Sequence, residues 1–344
     1  MTTSITELAK SLSLSVSTVS RALNGYTDVA PATRDRVAAA AKAMGYRPNP
    51  TARRLVSGKA SAMGVVLPSL VDEGQFIDSM YSRLLAGVAS KIEGTGYHLF
   101  ATTISSGDPK AELDLFADFI HAGWADALLI VRTRVEDSRV KLAQEAGLPF
   151  VTYGRTGSTQ PYSWVDADSE EAFRQAARRQ AGLGHHRIAL LNGESHYLFA
   201  QLRRRGYERG LAEAGLSADP ALVRDGNLTV ADGFRLCRVL LQMPDPPTSI
   251  LCASDSMAIG AISACRSLNL AAGRDVSVMG YGNSEASSYC DPPLSTIEHR
   301  AFDNGCRLGE ALLRLLTPGN TGHYTHLEPV ELVPRASDGP CIAA

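Results

Sequence analysis

The sequence reads as an all-α N-terminal unit followed by an α/β body built from two parallel-sheet halves. Three observations lead to that reading. Two amphipathic helical patterns lie only two residues apart near the N-terminus, the spacing of a helix-turn-helix. From residue 62 onward short apolar runs alternate with helical patterns, and the alternation runs through two series, as in parallel α/β sheets. Charge is divided as well: residues 1–60 carry nine Lys and Arg against three acids, whereas residues 61–344 carry 25 against 33. A net −2 chain therefore hides a +6 head on a −8 body, and a basic head is the electrostatic footprint of phosphate binding.

In the head, Ser4-Ile5-Thr6-Glu7 has the form of a capping box, and Ile5, Leu8, Ala9 and Leu12 follow the i, i+3, i+4, i+7 rhythm of a first helix. Ser13 and Leu14 form the turn. Over residues 16–24, Val19, Ala22 and Leu23 gather on one side, while Ser17, Arg21 and Asn24 face the other with Val16 at the shoulder. One face packs and the other is free to enter a groove. Ser15 is a suitable N-cap and Gly25 a suitable stop. Pro31 suits the first position of a third helix, whose stripe of Val37, Ala41 and Met44 ends at Gly45. Ala30 offers that helix no capping hydroxyl, a loss of roughly 1 kcal/mol of local stability. A solvated basic surface without a partner is the plain alternative for the charge, and the helix pattern beside it favours sequence-specific DNA binding.

Residues 47–60 have the Pro and Gly content of an interdomain linker, but Asn49 and Pro50 also suit the start of a helix of barely two turns before Ser57-Gly58. Alone such a helix is marginal; a partner would order it. Arg53, Arg54 and Leu55 suit a minor groove, where cations meet phosphates and an apolar wedge unstacks a base step.

In the body, strands are expected at 63–68, 97–101, 127–131 and 149–153, alternating with helices through Leu84 to Ile92, at 110–121 and at 136–146. A second series follows the run Tyr162-Ser163-Trp164-Val165: helices at 168–183, 199–214, 230–241 and 255–268, with strands at 188–191, 222–224, 249–252 and 276–281. Two such units create a cleft, and ligands of parallel sheets bind outside the carboxyl ends of the strands. With 344 residues, 44% of them hydrophobic, the chain can bury two or three cores. The absence of an apolar leader and of any long apolar run points to a cytoplasmic protein with no membrane span.

Other chemistry finds no footing. Six cysteines, none in a CxxC pair, read as incidental thiols, and His185-His186 lacks a third ligand at helical spacing, so neither a metal nor a cofactor is expected. Asp255 heads a helix after a strand, where an N-cap role is the simpler reading. Dinucleotide, P-loop and nucleophile-elbow motifs are missing, and no enzyme is expected.

The runs STVSRALNG, TRDRV and GYRPNPTARRL, followed by LGHHRIALLNG, RRRGYERGL, ASDSMAIGAI, DVSVMGYGN and PPLSTI, resemble the lac/gal repressor family of bacterial transcription regulators over nearly the whole chain. The resemblance implies a helix-turn-helix headpiece at 1–46, a hinge at 47–60, a periplasmic-binding-protein-like effector and dimerisation domain at 61–338, and a tail at 339–344. Its N-subdomain would span 61–161 and 294–320, its C-subdomain 162–293 and 321–338. A homodimer would read a near-palindromic operator with its hinge helices paired, and a small-molecule effector, a sugar, would sit in each cleft. Val16, Ser17 and Arg21 fall where the family reads the major groove, and Ala52 and Leu55 where its hinge enters the minor groove. Arg21 has the strongest case, because a guanidinium binds guanine O6 and N7 bidentately. Ser4, Thr6, Ser15, Thr18, Ser20, Asn24, Asn49 and Arg53 complete the candidate DNA interface.

In the cleft, the resemblance makes Arg203 the sugar-binding arginine, Arg155 a ligand-facing residue, Trp164 an aromatic wall, with an ordinary core aromatic as its open alternative, and Ser254 and Tyr281 the floor. Many family members carry an acid after the aromatic, where this chain runs Tyr281-Gly282-Asn283; Asn283 is the candidate replacement. The YGR and RRRGY runs also resemble α-glucoside-responsive members, so an α-glucoside or related disaccharide is the expected ligand. Two alternatives stay open: a co-repressed regulator taking a purine or phosphorylated partner, and a sugar-binding protein of the periplasmic type, against which the basic head and missing leader speak.

Overall fold

The computed structural model describes residues 3–23, 25–46, 59–68, 79–104 and 108–341. It divides into two compact units, Met1–Ala60 and Ser61–Ala344.

Among its described residues the first unit holds three helices, α1 (Ile5–Leu12), α2 (Val16–Leu23) and α3 (Pro31–Ala43). Ser4 and Glu7 form the capping box reciprocally, and Ser13, in the left-handed region at φ 55°, ends α1. The Ser15 hydroxyl accepts the Thr18 N–H at 3.0 Å, and Gly25, at φ +74°, turns the chain so that Tyr26 N–H reaches the Arg21 carbonyl. Ala30 caps α3 without a side-chain bond and Pro31 occupies its first turn, as expected. Leu8, Ala9, Val19, Ala22, Val29, Val37 and Ala41 make the core.

The second unit holds two lobes. The sheet of the first is parallel throughout, β2 (His98–Ile104), β1 (Ala62–Pro68), β3 (Ala127–Ile130), β4 (Phe150–Tyr153), β5 (Ser163–Ala167) and β11 (Thr325–Glu328), in that spatial order. Alternation along β1 assigns its faces: Met63, Val65 and Leu67 pack with Leu84, Val88, Leu308 and Leu312 of α4 (Ser79–Ile92) and α12 (Ala301–Leu315). Val66 instead packs with Phe116, Phe119 and Val140 of α5 (Pro109–His121) and α6 (Ser138–Glu145). Helices α4 and α12 meet at glycines. A Cβ on Gly87 would lie 2.1 Å from the Phe302 carbonyl oxygen, and one on Gly305 2.0 Å from that of Leu84.

The second lobe has a parallel sheet of β7 (Val223–Gly226), β6 (Ile188–Gly193), β8 (Ser249–Cys252) and β9 (Ser277–Met279). Around it lie α7 (Ser169–Gly182), α8 (Leu198–Glu213), α9 (Val230–Leu241) and α10 (Asp255–Ser267), with a short α11 (Glu285–Tyr289) beyond β9. The pair β10 (Thr296–Glu298) and β12 (Glu331–Val333) is antiparallel, and Ser295 bridges to Met279 of β9. Buried Gln180 accepts the hydroxyls of Ser249 and Ser277 and donates to Asp338, fastening the C-terminal segment to this lobe. His185 is tied into the same lobe, its ring nitrogens meeting the Thr248 hydroxyl and the Gly339 carbonyl, both at 2.9 Å.

The lobe boundaries differ from those expected. Strands β5 and β11, expected in the C-subdomain, pair inside the first sheet, while residues 294–298, expected in the N-subdomain, lie against the second. Sheet membership is decided by backbone pairing between residues far apart in the chain, which hydrophobic period does not encode. The chain thus passes between the lobes three times, after Ala167, between Glu298 and Ala301, and after Glu328.

Candidate functional site

On α2 the inward residues Val19 and Ala22 are buried, and Val16, Ser17 and Arg21 face solvent, as the helical wheel requires. Ser15, Ser4 and Thr6 are exposed too, whereas Thr18 and Ser20 are half-buried. The Ser15 hydroxyl meets those of Ser17 and Thr18, each at 2.8 Å, giving the N-terminus of α2 a cluster of rotatable hydroxyls. Arg21 pairs with Asp28 and lies over the Tyr26 ring at 5.5 Å. Sequence reading missed Asp28, whose carboxylate holds one Nη of Arg21. Asn24, Asn49, Ala52, Arg53 and Leu55 lie outside the described residues.

The second unit contains a cleft of about 1200 Å³, continuous with solvent, at the carboxyl ends of β1, β4, β5 and β8. Arg203, on α8, is its central cation. Only 7% exposed, Arg203 donates one Nη to the Ala253 carbonyl at 2.7 Å, while its buried Nε has no partner among the described residues. Its guanidinium carbon lies 4.1 Å from the Tyr281 ring centre, 4.6 Å from that of Phe199 and 5.7 Å from that of Phe173. Three aromatic rings around the guanidinium stabilise its charge. Tyr281 stacks on His299 at 5.0 Å. Burial pushes the His299 imidazole down to about 4, so it is neutral near pH 7 and shares a 3.2 Å bond with the Tyr153 hydroxyl.

Across from Arg203, Arg155 donates its Nε–H to Asp166 at 2.8 Å and lies over the Trp164 ring at 5.6 Å. Burial raises the Asp166 pKa above the usual carboxylate range, against the opposing pull of Arg155. Beside them Arg132, in the left-handed region at φ 53°, is anchored through its carbonyl by buried Arg139 at 3.1 Å.

Of the residues expected here, Arg155, Arg203 and Tyr281 line the cleft and three others take different roles. Trp164 packs with Phe116, Phe119 and Tyr162 and does not border the cleft, because it lies early in β5 and only the strand's carboxyl end opens onto it. Asn283 is turned away. Its side chain donates to Glu298 at 2.9 Å and accepts from Arg335 at 2.6 Å, so both ends of the amide are occupied. Ser254 borders the cleft, but its hydroxyl caps α10, accepting the Met257 N–H and donating to the Leu228 carbonyl. The cap is therefore Ser254 and not Asp255, whose buried carboxylate is held by Thr296 and the Ser284 N–H. Sequence reading missed Asp166, His299, Tyr153 and Phe199. A signal existed for Asp166: a carboxylate within a largely apolar strand, one residue from its carboxyl end.

Residues 4–49 match the family described as bacterial regulatory proteins, lacI family, and residues 177–337 match the periplasmic binding protein-like domain. The HTH-type transcriptional regulator AglR of Rhizobium meliloti (strain 1021) is 37% identical over 348 residues, covering 99% of this chain and 95% of that protein. The HTH-type transcriptional regulator RafR of Escherichia coli is 34% identical, covering 86% of each chain. Among solved structures, the lac repressor dimer bound to operator and the anti-inducer ONPF aligns with a TM-score of 0.84 at 27% identity, covering 98% of this chain and 99% of that one. The transcriptional regulator CelR-cellobiose complex aligns with a TM-score of 0.74 at 27% identity, covering 97% and 99%. A basic three-helix unit with an exposed recognition face and a two-lobed body with a buried arginine in its cleft are thus joined in one chain, which belongs to the lacI family of bacterial regulatory proteins.

Proposed function

We propose that this protein is a homodimeric, cytoplasmic transcriptional repressor that binds a near-palindromic operator and whose operator affinity is set by an α-glucoside or related disaccharide in the cleft. One observation carries the ligand half of the proposal. A buried cation, Arg203, has an Nε without a partner among the described residues and is surrounded by three aromatic rings in an otherwise roomy cleft. An unsatisfied buried donor costs free energy until a ligand oxygen meets it, and ring faces suit the C–H side of a pyranose. Solved relatives include a CelR complex with cellobiose and lac repressor complexes with ONPF and ONPG, which support a sugar-sized occupant. The headpiece half rests on the exposed Val16, Ser17 and Arg21, with Ser4, Thr6, Ser15, Thr18 and Ser20 as flanking contacts.

The test is an operator-binding titration, on a duplex selected from a random library, across a sugar concentration series. Wild type is expected to release the operator as sugar rises. Arg203→Ala is expected to bind the operator as wild type does and to ignore the sugar, since it removes a ligand contact without touching the headpiece. A mutant that responds at the wild-type sugar concentration removes Arg203 from the site. Tightening of wild type by the ligand reverses the sign and makes the protein co-repressed.

A further inference from the structure

Among the described residues, two acids line the cleft, and they are built differently. Both oxygens of Asp255 are engaged inside the second lobe, one by the Thr296 hydroxyl and the other by the Ser284 N–H at 2.6 Å. That carboxylate has its partners before any ligand arrives. Asp166 stands next to last in β5 of the first lobe; backbone N–H groups of Arg155 and Ala167 also reach it, and its charged partner is Arg155, whose side chain borders the same cleft and is 29% exposed. A carboxylate and a guanidinium held 2.8 Å apart at a cavity wall present acceptors directly beside donors. The complement of such a pair is two adjacent hydroxyls, each of which donates and accepts. One hydroxyl donates to the carboxylate while its neighbour accepts from the guanidinium, so neither charge needs to be stripped of a partner when the cleft loses water. Trp164 supports the arrangement from behind, its ring lying under the Arg155 guanidinium.

We infer that Asp166, with Arg155, reads a vicinal diol of the bound sugar, making this first-lobe carboxylate a specificity-determining residue of the cleft. The inference rests on the sugar reading above and adds which hydroxyl chemistry the site demands. A sugar lacking either hydroxyl leaves a desolvated charge short of a partner, which discriminates far more sharply than a lost methylene does.

Calorimetric titration of the full chain with maltose, sucrose, melibiose and cellobiose tests this, followed by the monodeoxy analogues of the tightest binder. Wild type is expected to lose roughly 10- to 150-fold in affinity for one monodeoxy analogue, the range of a hydrogen bond to a charged group. Asp166→Asn is expected to lose a similar factor for the parent sugar and to treat that analogue and the parent alike, with its thermal midpoint unchanged. Parent affinity equal to wild type, or retained discrimination, overturns the inference. Should Asp166→Asn fail to fold, Asp166→Glu keeps the charge and displaces it by one methylene; it is expected to change the deoxy profile, and an unchanged profile overturns the inference. If Arg155→Gln erases a discrimination that Asp166→Asn leaves intact, Arg155 is the sole reader and the inference falls. No binding of any of the four sugars by wild type overturns the sugar reading itself, an outcome distinct from all of these.

Discussion

His299 illustrates how a single buried group ties stability to pH. In the unfolded chain its imidazole takes a proton near the ordinary value of 6.5, whereas in the folded body burial delays this to about 4. Between those values the unfolded state binds more protons, so stability must fall as pH drops through the window and level off below it. His299→Gln removes this contribution. Urea unfolding at pH 7 and pH 4.5 is expected to show a loss on acidification that is smaller in the mutant by on the order of 2 to 3 kcal/mol; equal slopes would mean the ring is already charged in the folded state. At the other functional surface, Arg21→Ala is expected to cost roughly 1 to 3 kcal/mol on the selected operator and to relax preference at one position per half-site. Equal loss on cognate and random duplexes, measured by fluorescence anisotropy, would make Arg21 a phosphate contact. The sequence disclosed Arg21 because its helical face is a local property. It concealed Asp28, because a side chain seven residues away finds Arg21 only after the chain turns at Gly25. It misassigned Trp164 for a related reason: resemblance supplies a residue type, but depth along a strand decides whether that side chain meets the cleft or the packed face.

Among the elements, the α4 and α12 pair shows what a helix-interior glycine accomplishes. Gly in that position weakens an isolated helix. Here it lets two backbones approach so closely that an added Cβ would meet a carbonyl at about 2 Å. Gly87→Ala must therefore separate the helices, and it is expected to lower the urea midpoint of the body with a cost of roughly 1 to 3 kcal/mol or more. An unchanged midpoint would show that the pair slides without penalty. Local signals placed many elements well: α9 and β8 have the expected bounds, because the Thr229 hydroxyl caps the first and a short buried run after Thr248 forms the second. The affiliation of β5 and β11 was illegible. Gly154 and the Ser, Thr and Pro residues after it resemble a boundary between units, yet the chain returns to the same sheet one strand over.

For the molecule as a whole, the proposed control of DNA binding by a sugar is a statement about coupled equilibria and requires no picture of the path between the sites. If sugar weakens operator binding by some factor, the operator weakens sugar binding by the same factor. Calorimetry with and without the selected duplex is expected to show a 5- to 150-fold change in sugar affinity, roughly 1 to 3 kcal/mol of coupling. Equal affinities would mean that sugar and operator bind independently. Finally, the three passages of the chain between the lobes bear on how such regulators can be recombined. The headpiece unit ends at one point in the sequence, so a single splice is enough to give this body a different operator. No single splice exchanges one lobe of the body, since each lobe is assembled from two segments of chain with a segment of the other lobe between them. New ligand preferences must then arise by substitution within the cleft, whereas new target genes can be acquired by cutting and joining once.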